Sequence, residues 1–266
     1  MDESTEPPSA AASDVPVIRF DDLHKSFGKQ HVLAGLNLDV ERGKTLAIMG
    51  ASGSGKSVTL RHIIGLMKPD SGRVLVEGVE VAKMTREQLS EMRKGMGYVF
   101  QDGALINWLS IGENVALPLR ENTNLSDKEI RERAQHKLEL VHVPDAWNKM
   151  PSEISGGMRK RIGIARALIT DPDIILYDEP NAGLDPEIAR SINATIRHLA
   201  DTLEVTSIVV EHRIECIRVV ADEVLFLHEG KSLIQTATAD FFASQHPRLL
   251  RFFGQDSLPP SANPHS

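Results

Sequence analysis

The chain has 266 residues, 41% hydrophobic and 25% charged, with 19 Gly, 14 Pro and one Cys, a globular composition that excludes collagen-like, disulfide-framed and wholly disordered classes. With 30 Lys+Arg against 37 Asp+Glu, the formal net charge is −7, so no general field draws the protein to a phosphate polymer and nucleic acid is not expected as a partner. The lone Cys216 has no intramolecular disulfide partner, which fits the reducing cytoplasm, and no apolar run approaches the ~20 residues that span a bilayer.

Residues 1–16 carry acids, no Lys or Arg and no apolar core, and read as a disordered tail rather than a secretory signal. Short β-rich runs follow at 17–20, 23–27 and 36–40, broken by Gly28, Gly35 and Gly43, and predict an antiparallel edge. The apolar run 45–49 reads as a buried strand, and 56–66 has helical spacing at Val58, Leu60, Ile63 and Ile64. The stretch 125–140 is helical by period, with Ser126 and Glu129 spaced as a capping box. From about 155 the pattern alternates: helix to 168, strand 174–178, helix 186–203, strand 206–210. Such alternation predicts a parallel sheet covered by helices, with the helical region 103–169 inserted as a subdomain. A main domain over 17–245 is followed at 246–266 by a short helix and a flexible Pro/Ser-rich end.

Gly50-Ala51-Ser52-Gly53-Ser54-Gly55-Lys56-Ser57 fits the GxxxxGKS pattern between a strand and a helix, the context that motif requires. Its glycines let backbone N–H groups form an anion nest, Lys56 supplies a cation for β and γ phosphates, and Ser57 is a candidate ligand of Mg2+. The strand 174–178 ends in Asp178 and Glu179, where an open α/β sheet places its ligand crevice. Asp178 suits a Mg2+ shell, and Glu179 could polarise an attacking water. His212 follows the next apolar strand and is expected on the same rim. A second Ser/Gly-rich helix start, Ser155-Gly156-Gly157-Met158 before Arg159-Lys160-Arg161, lies far from the first along the chain. One nucleotide does not need two cradles, so the second is expected to close on a nucleotide held by another copy, giving a head-to-tail homodimer.

With these segments in this order, together with Gln101 and Asp185, residues 17–235 resemble the ATPase subunit of ABC transporters. The resemblance implies a P-loop fold with a RecA-like parallel core, an N-terminal antiparallel β subdomain and an inserted helical subdomain. It also implies ATP as nucleotide, Phe27 stacked on adenine, and Gln101 sensing the γ-phosphate and Mg2+. Glu179 would be the catalytic base, His212 the γ-phosphate residue, and Asp185 a contact to the partner protomer. Membrane permease subunits would dock around residues 102–114, with Trp108 and Leu109 as candidate contacts, and the chain would sit peripherally on the cytoplasmic face of the inner membrane. Met158, Arg159, Lys160 and Arg161, and the Gly103-Ala104-Leu105 that follows Gln101, are similar to the branch that serves MCE-type phospholipid transport, including the Mla systems. That branch implies an MCE-domain partner and an accessory subunit.

Three alternatives stay open: a lipoprotein-release or small-solute transporter, a soluble ATPase acting on DNA or ribosomes, and a nucleotide-gated switch. Glu211 departs from the pattern; strand alternation is expected to turn its side chain away from His212. The apolar segment 249–253 is expected either on its own domain or on another protomer or accessory subunit. Cys216 is expected as core filler.

Overall fold

The computed structural model describes residues 15–256, with side chains to Gly254. The expected N-terminal tail, up to residue 14, and the Pro/Ser-rich end after Asp256 lie outside the described residues. Ten strands and nine α-helices follow one another among the described residues. They are β1 (Ile18–Phe27), β2 (Gln30–Val40), β3 (Thr45–Met49), α1 (Lys56–Ile63), β4 (Ser71–Val76), β5 (Val79–Glu80), α2 (Arg86–Lys94), β6 (Met96–Val99), α3 (Ile111–Asn122) and α4 (Asp127–Leu140). Next come α5 (Gly156–Ala167), β7 (Ile174–Asp178), α6 (Pro186–Leu203), β8 (Thr206–Val210), α7 (Ile214–Val220), β9 (Glu223–His228), β10 (Lys231–Ala237), α8 (Thr238–Ala243) and α9 (Pro247–Asp256).

The strands form two sheets. The first has the order β2-β1-β4-β5 and is antiparallel; the second has the order β10-β9-β3-β8-β7-β6. In the second sheet β3, β6, β7, β8 and β9 run parallel, and only β10 opposes its neighbour. The runs 17–20 and 23–27 are one strand rather than two: β1 bulges between Phe20 and Leu23, with Asp22 in the left-handed region at φ 46°. The Asn37 side chain accepts the Asp22 N–H at 2.9 Å, so the polar interruption at Asp21 and Asp22 is absorbed as a bulge without ending the pairing.

Successive side chains of a strand face opposite ways, and the parallel strands use this to feed two cores. Ile174 and Leu176 of β7 and Ile208 and Val210 of β8 pack with the first sheet and α1; Ile175, Tyr177 and Val209 pack beneath α3–α6. Ile192, Ile196 and Leu199 form the buried stripe of α6, and burial of each such side chain contributes about 1.5–3 kcal/mol. A third cluster joins Met49, Phe226 and Phe241 to Leu249 of α9. The segment 249–253 therefore lies on its own chain: Leu249 is fully buried and the Phe252 ring meets Phe226 edge-on at 5.1 Å. Cys216 of α7 is buried in the core.

No helix among the described residues is long and apolar enough to cross a membrane.

Candidate functional site

Because β3, β6, β7 and β8 are parallel, their C-terminal ends share one edge of the sheet, and a motif leaves each of them. β3 runs into residues 50–57, β6 into Gln101, β7 into Asp178 and Glu179, and β8 into Glu211 and His212. The register aligns them closely: Ile48 is level with Val210, and Val210 with Asp178. The Glu211 N–H donates to Ile48 O at 3.3 Å and the Glu179 N–H to Val210 O at 3.0 Å. Open parallel sheets bind ligands at this edge.

The loop after β3 keeps its shape through glycine. A Cβ at Gly50 would stand 2.4 Å from Leu227 O and 2.8 Å from Ser54 Oγ. Gly55 has φ 106°, where an L side chain is strained. Ala51, Ser52 and Gly53 are exposed at the rim, while Ser54 Oγ is buried without a hydrogen-bond partner. Lys56 is 5% exposed, and its ammonium donates to Gly50 O at 2.9 Å and Ala51 O at 3.0 Å. Burial pushes the ammonium down, opposed by the charges of Glu179, Glu211 and Asp178. A concave backbone, an orphaned hydroxyl and a desolvated cation at a helix start fit a polyphosphate.

The Ser57 hydroxyl donates to Asp178 Oδ1 at 2.7 Å, so the two candidate metal-holding groups meet across the sheet edge. Both offer hard oxygen, the donor type of Mg2+, and the pair fits that ion. The second oxygen, Oδ2, accepts from the Tyr98 hydroxyl at 3.0 Å. Sequence reasoning missed Tyr98; only the β6–β7 register, which sets Tyr98 beside Leu176, brings it there. Burial, then the Asp178 charge, push its phenol up, so it remains a donor.

Glu179 has φ 47°, a backbone state that costs a non-glycine residue about 1–3 kcal/mol and concentrates at functional sites. The ammonium of Lys160, on α5, donates to the carbonyls of Gln101 and Glu179. It thus ties the segment after β6 to the segment after β7. Burial pushes this ammonium down, against the charges of Asp102, Glu211 and Glu179.

Side chains of Glu211 and His212 do meet, contrary to expectation: His212 Nδ1 is 3.3 Å from Glu211 Oε1. Strand alternation fails here because β8 ends at Val210. Beyond it the Glu211 carboxylate curls back to accept the N–H groups of His212 and Arg213 at 2.9 and 3.2 Å.

The remaining candidates lie at two helix starts, at one strand end and in the segment between β6 and α3. Ser155 caps α5 by accepting the Met158 N–H, and Asp185 caps α6 by accepting from Glu187 and Ile188. The two starts pack together: a Cβ on Gly157 would be 2.7 Å from Ile188 Cγ2. Gly156 is exposed beside Ser155. Phe27 ends β1 with 47% of its surface exposed and the Lys25 ammonium 5.8 Å from its ring centre. Gln101 is exposed. Trp108 is 80% exposed, and Leu109 is half-buried.

Known proteins share this arrangement. The family model described as ABC transporter matches residues 33–182. The chain is 39% identical over 230 residues to the intermembrane phospholipid transport system ATP-binding protein MlaF of Haemophilus influenzae, covering 86% of this chain and 87% of that protein. It is 38% identical over 231 residues to the probable ribonucleotide transport ATP-binding protein mkl of Mycobacterium leprae. That match covers 87% of this chain but only 66% of the mkl protein's own length. A dimeric ATP-binding cassette, MJ0796, captured after hydrolysis with ADP and Pi, superposes with a TM-score of 0.76 at 31% identity, covering 83% of this chain and 98% of its own. The chain belongs to the ABC transporter family as its ATP-binding, ATP-hydrolysing subunit.

Proposed function

We propose that two copies of this chain close head to tail on two ATP molecules and, in doing so, drive a transporter that moves phospholipids between membranes. In each site the backbone and Lys56 of one protomer bind the phosphates, Phe27 supports the adenine, and the Ser155, Gly156 and Gly157 helix start of the other protomer caps the γ-phosphate. Ser57, Asp178 and Gln101 would hold Mg2+, whose chemistry is to neutralise charge on the β and γ oxygens. Glu179 accepts the proton of the attacking water, while His212 holds the γ-phosphate and Asp185 meets the partner protomer. The observation that carries this reading is the convergence of four strand ends, with the Ser57–Asp178 contact at its centre. The adjoining starts of α5 and α6 support the two-copy arrangement, because both expose helix N-termini on one face.

The contacts of the γ-phosphate with the other protomer's Ser155 helix start exist only in the closed pair, so its loss removes the bias toward closure. The motion passes to permease subunits through residues 102–114, where Trp108 offers an exposed aromatic surface. On this reading the chain sits peripherally, on the cytoplasmic face of the inner membrane. Phospholipid as cargo is supported by the similarity to MlaF, which covers 86% of this chain and 87% of that protein; an MCE-domain partner and an accessory subunit belong to the same proposal. A small-solute importer is the competing reading, supported by 37% identity to the methionine import protein MetN of Rhizobium johnstonii.

Two measurements test the proposal. Glu179→Gln removes the base and keeps the cradle, so it should abolish turnover and accumulate an ATP-bound dimer on size exclusion; undiminished turnover overturns the role of Glu179. A mild-detergent pull-down of the tagged protein from its own membranes, with mass spectrometry of proteins and lipids, tests the cargo. A permease with an MCE-domain subunit and phospholipid is expected, and a solute permease without one overturns the lipid reading.

A further inference from the structure

Glu211 is fully buried, yet no Lys or Arg lies within ion-pair distance of it among the described residues. A carboxylate removed from water costs several kcal/mol unless its oxygens are paired. The pairing here is unusual in its direction. Oε1 accepts the N–H groups of His212 and Arg213 and faces His212 Nδ1, while Oε2 accepts the Asn181 amide at 3.3 Å. The same Asn181 amide donates to Asn193 Oδ1 of α6 at 2.7 Å, and Asn181 and Asn193 are themselves buried. The carboxylate is thus pinned from two sides, between the turn that carries His212 and the helix that Asp185 begins. Arg213 adds a second tie, donating to Leu184 O at 3.2 Å.

Both Glu211 oxygens already act as acceptors, of the His212 and Arg213 N–H groups and of the Asn181 amide, so an imidazole nitrogen 3.3 Å away is matched to them as a donor. Which ring nitrogen of a histidine carries the proton is set by the partner of the other nitrogen. We propose that Glu211 is a positioning residue for His212: it fixes the ring by its Nδ1 edge, keeps a proton on Nδ1, and leaves Nε2 as the nitrogen offered to the nucleotide. Rotation of the ring is then limited by a buried anchor that Asn181 and Asn193 hold, although half of the His212 side chain is exposed. This inference rests on the reading of His212 as the γ-phosphate residue, and it adds how the chain aims that residue and which nitrogen it presents.

The test uses the full chain labelled with 15N-histidine, without nucleotide, in alkaline buffer where an ordinary imidazole is neutral. Long-range 1H–15N spectra distinguish a protonated ring nitrogen from a bare one, and the signals lost in His212→Gln assign the residue. The wild type should show a protonated Nδ1 at His212; a bare Nδ1 overturns the proposal whether or not any variant folds. Glu211→Ala should move the proton to Nε2 and lower kcat by up to about tenfold, the scale of one lost hydrogen bond. Glu211→Gln, which keeps an acceptor oxygen, should retain the Nδ1 proton and lose less turnover. A tautomer unchanged in a folded Glu211→Ala protein would reduce Glu211 to a backbone cap and overturn the proposal. The underlying reading fails separately: His212→Ala hydrolysing ATP at the wild-type rate removes His212 from the γ-phosphate and leaves the tautomer result standing.

Discussion

At the scale of single residues, the site depends on oxygen atoms whose direction is fixed by neighbours. Asp178 shows this most directly, since Ser57 holds Oδ1 and Tyr98 holds Oδ2. Tyr98 is itself steadied by Phe100, whose ring centre is 4.4 Å away, and Phe100 immediately precedes Gln101. A carboxylate with one oxygen freed can rotate away from Ser57, and a lost hydrogen bond of this kind is worth about 1–1.5 kcal/mol, or about 5–10-fold in a binding constant. Tyr98→Phe should therefore raise the Mg2+ concentration needed for half-maximal hydrolysis by that factor. Nucleotide binding measured in EDTA should not change, because the cradle and Lys56 are untouched. An unchanged Mg2+ requirement would show that the phenol has no part in orienting Asp178. Lys56, Asp178 and Glu179 were legible in sequence because motif spacing carries them. Tyr98, Asn181 and Asn193 were not, because pairing register and helix packing bring them to the site from positions with no local signature.

At the scale of elements, the helices outside the sheet are fixed by their ends. Ser110 and Glu113 cap α3 reciprocally, as Ser126 and Glu129 cap α4. Ser110→Ala should cost about 1 kcal/mol, readable as a lower urea midpoint at constant slope. Backbone and then side-chain hydrogen bonding to Ser110 holds Glu113 below the usual carboxylate range, and side-chain and then backbone hydrogen bonding to Ser126 does the same for Glu129. A pKa depressed by folding means stability that is present above the unfolded value and is lost as pH falls through the folded one. The melting temperature should therefore decline below about pH 4.3, the ordinary glutamate value, and the decline should flatten in a Glu113→Gln, Glu129→Gln double variant. An equal slope in both proteins would remove the boxes from the acid response. The α4 box was visible in sequence as Ser126 and Glu129. Other elements were hidden: α2 has only Leu89 and Met92 as apolar residues, both half-buried, too few to mark a period, and β5 has two residues. The four-residue β6 contains Gly97, where a Cβ would stand 2.5 Å from Ala167 O; tight packing against α5, not strand propensity, explains it.

At the scale of the whole molecule, the parallel sheet gathers the residue 50–57 loop, Asp178, Glu179 and His212 on its own edge, and α5 and α6 present Ser155 and Asp185 on helix starts that pack against each other. The long alternating strands and helices made this division legible from sequence, whereas the number of chains needed to complete a site is a property of geometry between copies. That number can be measured by complementation between unlike protomers. Consider dimers in which one protomer carries Lys56→Ala and the other Ser155→Arg. If each site joins the cradle of one copy to the Ser155 helix start of the other, both lesions fall in the same site and the second site is intact. Such a dimer should keep about half of the wild-type turnover, with allowance for coupling between sites. A dimer with both lesions in one protomer and none in the other then has one lesion in each site and should be nearly inactive. If each chain completed its own site, the two results would exchange: the split lesions would kill both sites, and the doubly altered protomer would leave its partner active. Differently tagged protomers, co-expressed and purified over both tags, give the two dimers, and their relative ATPase rates decide between a shared site and a self-contained one by sign rather than by degree.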